Sequence, residues 1–90
     1  LQDEAAMTVL LTSLAQEDLD YWDQCDQHIA QRIRQLLDRL ANGPALARHQ
    51  QSALQFGSIF LSAVKITSEH RLIFESLGDK LIIHQCRFHY

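Results

Sequence analysis

The first 26 residues contain no lysine or arginine, yet they hold Asp3, Glu4, Glu17, Asp18, Asp20, Asp23 and Asp26. All eight basic residues lie in the rest of the chain, set against Asp38, Glu69, Glu75 and Asp79. The net charge of −3 therefore hides an acidic end joined to a basic body. Such asymmetry hints at an anionic partner, although a solvated first helix that is merely acidic gives the same numbers. No apolar run approaches the ~18 residues of a membrane span. Residues 1–6 carry two acids and no positive leader region, so they are not a secretory signal. They read as an N-terminal extension or an expression remnant ahead of one domain over residues 7–90. Three glycines make no Gly-rich phosphate loop, and no Gly-x-Ser-x-Gly elbow surrounds Ser13, Ser52, Ser58, Ser62 or Ser76. Two cysteines, Cys25 and Cys86, are no disulfide framework. They are expected to be reduced, in a cytoplasmic protein. There is no internal repeat and no low-complexity segment.

What is present is enough for one small core. Ninety residues, 47% apolar and 21% charged, suit a single globular domain. Met7-Thr8-Val9-Leu10-Leu11-Thr12 has strand composition. Ser13, with Gln16 three residues on, predicts a capped first helix running to about Cys25, with an apolar stripe of Ala15, Leu19 and Trp22. Asp26 is placed to cap a second helix. Its stripe, Ile29, Ile33, Leu36, Leu37 and Leu40, is the clearest amphipathic pattern in the chain. Asn42-Gly43-Pro44 should stop it. Residues 45–57 read as loop or a helical turn. Strands follow over residues 58–66, 70–76 and 80–87, the last two joined by a tight Gly78-Asp79 turn. The expected fold class is α+β, in the order β-α-α-β-β-β, with a helical hairpin on a mostly antiparallel four-stranded sheet.

The chain ends in a pair of patterns that stand out. One is Ile66-Thr67-Ser68-Glu69-His70-Arg71-Leu72 and the other is Cys86-Arg87-Phe88-His89-Tyr90. Together with Asp20-Tyr21-Trp22, Asp26 and Pro44, they resemble the Txe/YoeB branch of the RelE-like toxins, ribosome-dependent messenger-RNA endonucleases of toxin–antitoxin pairs. The resemblance runs without gaps from Met7 to Tyr90 and is weakest over residues 45–65. It implies a RelE-like domain that is a type II toxin and a metal-free endoribonuclease needing no cofactor. It also implies a cognate antitoxin, the ribosome and messenger RNA as partners, and no membrane. A homodimer is compatible with it.

The chemistry such an enzyme needs is specific. RNA carries its own nucleophile, the 2′-hydroxyl, so cleavage requires a base, a cation for the crowded phosphorane and an acid for the leaving 5′-oxygen. By the resemblance, His89 is the candidate general acid, Arg71 the phosphate clamp, and Tyr90 a group that stacks on a base or holds a phosphate. Lys65 and Arg87 could track the RNA backbone. Each also has a bland reading: a frayed terminal His, a surface Arg paired to Glu69 or Glu75, an aromatic lid, or solubility charge. A zinc site is poorly supported, because strand alternation puts His84 and Cys86 on one face and His89 on the other.

The departures from the family pattern are as informative. Ser52 stands where the family places its general-base glutamate, and a hydroxyl cannot accept a proton at neutral pH without a base of its own. Ser62-Ala63-Val64-Lys65 replaces Trp-Ser-Arg-Arg, and Gln55 replaces a lysine. His49 or Glu75 could substitute as base. The leading expectation is a type II toxin that cleaves messenger RNA. The alternative is a weakened homologue that binds an antitoxin or the ribosome. The gyrase-inhibiting relatives fit less well, since the His-Tyr ending belongs to the ribonuclease branch.

Overall fold

A computed structural model describes residues 7–42, 51–56 and 59–87, with backbone alone at 51, 52, 54, 56, 59 and 60. Strand β1 (Thr8–Leu11) leads into helices α1 (Ser13–Cys25) and α2 (Gln27–Asn42). Four strands follow: β2 (Gln51–Phe56), β3 (Ile59–Lys65), β4 (Arg71–Leu77) and β5 (Lys80–Gln85). They form one sheet in the order β1-β5-β4-β3-β2. All pairings are antiparallel except β1 with β5, which are parallel, with Val9 opposite Leu81.

The α+β class and the two helices on a mostly antiparallel sheet are as expected. The sheet gains a fifth strand, β2, within the segment read as loop or helical turn. Its sequence, Gln-Ser-Ala-Leu-Gln-Phe, has almost no β-branched content. Pairing with β3 from Gln51 opposite Val64 to Phe56 opposite Ile59 defines it as a strand, so tertiary context overrides a weak local signal.

The first helix is capped by Thr12, not Ser13. Thr12 is extended, at φ −67° and ψ 168°, and its Oγ1 accepts the backbone N–H of Ala15. The same hydroxyl donates to the His84 carbonyl at 3.2 Å, so one side chain starts α1 and ties it to β5. Gln16 turns away from the cap and donates to Asp20. Asp26 caps α2 as expected, its Oδ1 accepting from the N–H groups of His28 and Ile29. With a single residue between the helices, α2 folds back on α1, and Arg34 grips Asp23 through two 2.8 Å hydrogen bonds. Helix α2 ends at Asn42. Gly43 and Pro44, the expected stop, lie outside the described residues.

Ala15, Leu19 and Trp22 from α1 meet Ala30, Ile33 and Leu36 from α2 and Val64, Leu72, Phe74, Leu81 and Ile83 from the sheet in one core. Ile29, Leu37 and Leu40 flank it. Strand alternation then turns Lys65, Arg71 and Glu75 to the sheet face away from the helices. Gly78, at φ +61°, opens the two-residue turn from β4 to β5, a backbone conformation that side chains with a Cβ rarely adopt. Leu36→Ala should cost ~2–5 kcal/mol of stability as a core truncation, measured by urea unfolding. A loss within the ±0.5 kcal/mol usual for surface changes would contradict the packing of α2 on the sheet.

Candidate nucleic-acid interface

The end of β5 is fixed by α1. Trp22 Nε1 donates to the Cys86 carbonyl at 3.0 Å, and the Cys86 N–H donates to Asp18 Oδ2 at 3.1 Å. The thiol of Cys86 points at the Ala15 carbonyl, 3.7 Å away. Cys86 is fully buried. Burial first, and the Asp18 carboxylate second, push its thiol from 9.0 up to about 12. It is therefore a protonated packing group at neutral pH and a poor nucleophile or metal ligand. Asp18, counted among the acids of a solvated helix, is instead buried and holds this anchor. Its signal in the sequence was position alone, one turn before Trp22 on the apolar side.

The Ile66–Leu72 motif divides between structure and surface. Ile66 and Leu72 are core. Thr67 Oγ1 accepts from the N–H groups of Glu69 and His70, closing the turn, and Arg32 Nε donates to the Ile66 carbonyl at 2.8 Å. His70 is buried edge-on against Trp22, with ring centroids 4.7 Å apart. Arg71 is left half-exposed at the start of β4.

There it pairs in register with Lys65 on β3. Two cations directly opposite each other across antiparallel strands repel, a cost that an anion between them removes. Two residues along the sheet, the row is Ser52, Ala63, Ile73 and Gln85. The position that the resemblance assigns to the general base thus lies two residues, about 7 Å, along the sheet from the Lys65–Arg71 pair. Arg87 is placed differently: its guanidinium lies 3.6 Å above the Tyr21 ring on α1. A cation–π contact of this kind holds the charge beside the helix. His49, His89 and Tyr90 lie outside the described residues.

His84 does not share a face with Cys86, as strict alternation would have it. Gln85 pairs with Ile73 while Ile83 pairs with Phe74, so His84 is an extra residue on β5. This bulge restarts the alternation and sends Cys86 to the helix side. His84 faces the other way, and its Nε2 lies 3.0 Å from Glu75 Oε1.

The YoeB-like toxin family of bacterial type II toxin–antitoxin systems matches residues 11–90. Toxin YoeB of Escherichia coli (strain K12) is 27% identical over 84 residues, 93% of this chain and 100% of the relative. Toxin YoeB of Synechocystis is 30% identical, covering 93% and 98%. Among solved structures, a YoeB/ParE toxin from Agrobacterium tumefaciens superposes with a TM-score of 0.80 at 26% identity, covering 93% of this chain and 100% of that one. A YoeB dimer from Staphylococcus aureus superposes equally well, at 25% identity, with 96% and 100% covered.

The Cys86 environment yields a test with a defined sign. The folded thiol holds its proton more tightly than the unfolded one, so its contribution to stability is complete below pH 9 and is lost as pH rises toward 12. Thermal unfolding should therefore show a fall in melting temperature across that window that Cys86→Ala reduces. Parallel pH curves for the two proteins would contradict it.

Proposed function

We propose a function on one premise: the chain belongs to the YoeB-like toxins of bacterial type II toxin–antitoxin systems. As a toxin of that kind, it acts as a ribosome-dependent endoribonuclease that cuts messenger RNA by 2′-hydroxyl attack on the scissile phosphate. The observation that carries this reading is the cross-strand pair Lys65 and Arg71, two cations side by side on the sheet face away from the helices. Arg71 clamps the phosphorane, and its planar fork and permanent charge suit that task. Lys65 and Arg87 follow the RNA backbone. His89 protonates the leaving 5′-oxygen, and Tyr90 stacks on a base or holds a phosphate. The anchor at Cys86 supports this assignment, because His89 follows it by only three residues.

The protein works in the cytoplasm and is silenced by a cognate antitoxin. Support for that partner comes from a heterotetrameric YoeB–YefM toxin–antitoxin complex of Staphylococcus aureus, whose toxin superposes with a TM-score of 0.77 at 25% identity. Self-association finds similar support in the Staphylococcus aureus YoeB dimer.

A second reading, a catalytically weakened homologue that binds antitoxin or ribosome, is favoured by Ser52 at the family's base position. Cleavage of messenger RNA on programmed ribosomes separates the two. Arg71→Ala and His89→Gln should each lower the rate at least ~10²-fold, the scale of losing an electrostatic stabiliser or an acid. Full cleavage by the double variant would place the active site elsewhere. No cleavage by the unaltered, antitoxin-free protein that still binds the antitoxin when it is added back would establish the weakened homologue.

Growth arrest gives the cellular counterpart. Induced expression should stop growth, and co-expression of a small neighbouring gene should relieve it. Normal growth on induction, with no such gene, would remove the toxin role.

A further inference from the structure

We propose that His84, oriented by Glu75, is the general base for 2′-hydroxyl attack in this chain, an inference that rests on the ribonuclease reading above. Attack by the 2′-oxygen needs a group that takes its proton, and Ser52 cannot do so alone. Glu75 is one of two substitutes expected from the sequence. The structure shows that it does not stand alone: its Oε1 is 3.0 Å from His84 Nε2.

That contact decides what each group does. With Nε2–H donating to the carboxylate, neutral imidazole carries its free lone pair on Nδ1, and the ring is held in one orientation. Imidazole aligned by a carboxylate is a recurrent arrangement for proton abstraction. The pair is also reachable. The side chains of His84 and Glu75 retain 35% and 24% of their exposure, enough for contact with a ligand while the carboxylate restrains the ring.

Alternation along β5 from the buried Leu81 and Ile83 puts His84 on the face that carries Arg71. Its Cα lies one strand over from β4, two to three residues from Arg71 along the sheet, which places the two Cα atoms roughly 10 Å apart. An arginine side chain and a phosphodiester together span that separation. The bulge leaves His84 with no residue directly opposite it on β4, between the Ile73 and Phe74 positions, an irregularity of the kind that recurs beside active sites.

The step balances without any further reactant. His84 Nδ1 takes the 2′-hydroxyl proton as the 2′-oxygen bonds to phosphorus. The P–O5′ bond breaks, and the departing oxygen takes a proton from the general acid. The products are a 2′,3′-cyclic phosphate and a 5′-hydroxyl.

The test is cleavage of messenger RNA on programmed ribosomes by the full chain, with circular dichroism to confirm folding. His84→Gln should lower kcat at least ~10²-fold with KM unchanged, the scale of losing a positioned base. Free imidazole should restore part of the rate to His84→Ala, which a structural role would not allow. Glu75→Gln, which keeps a hydrogen-bonding oxygen, should lose less than Glu75→Ala. Wild-type cleavage by folded His84→Gln overturns the inference, as does an imidazole-insensitive His84→Ala. A rise of ~10²-fold from Ser52→Glu alone also overturns it, because it shows that no base was in place. Cleavage abolished by Arg71→Ala but indifferent to His84 sinks this inference alone. An unaltered protein that cuts nothing sinks the ribonuclease reading and this one with it.

Discussion

Everything near the end of the chain depends on how α1 grips β5. Trp22 and Asp18 satisfy the carbonyl and the N–H of Cys86, and both lie in a dry environment where an unpaired backbone group costs ~1–3 kcal/mol. Thr12 adds a third tie, accepting at the start of α1 and donating to the His84 carbonyl. Trp22 also seats His70, so the same indole fixes the turn from which Arg71 emerges. One aromatic side chain thereby sets the positions of two strand ends that the sequence separates by some fifteen residues.

The helices were legible because their signals are local and redundant. Ala15, Leu19 and Trp22 fall on one face, and Ile33 and Leu36 in α2 follow the 3.6-residue period into the core. Asp26 shows its capping role by type and place. Strand β2 was illegible for the opposite reason: Gln51 to Phe56 has no alternation strong enough to survive without its partner β3. Thr12 and Ser13 were hard to order, since either hydroxyl can cap and only the backbone angle at Thr12 decides.

The site was legible in part. Arg71 and Lys65 could be named as candidates, but their cross-strand pairing depends on register, which no spacing in a single sequence fixes. Charge counting misread one group. Asp18 looked like one more surface acid and proved to be a buried anchor, while the contact of Arg87 with Tyr21 on α1 carried no signal in the sequence. The His84 bulge was invisible to alternation, because a single added residue changes the face without changing composition. In each case the missing information was long-range: which strand lies beside which, and in what register.

The parallel pairing of β1 with β5 joins the first element of the domain to the last, Thr8 opposite Lys80 and Leu11 opposite Ile83. A nascent chain cannot make that ladder until β5 has emerged, so the sheet cannot close around its amino-terminal part alone. Contacts across so much of the chain are also the slowest to form. For a protein whose relatives are toxins, the order of its strands makes a complete sheet depend on both ends of the domain being present.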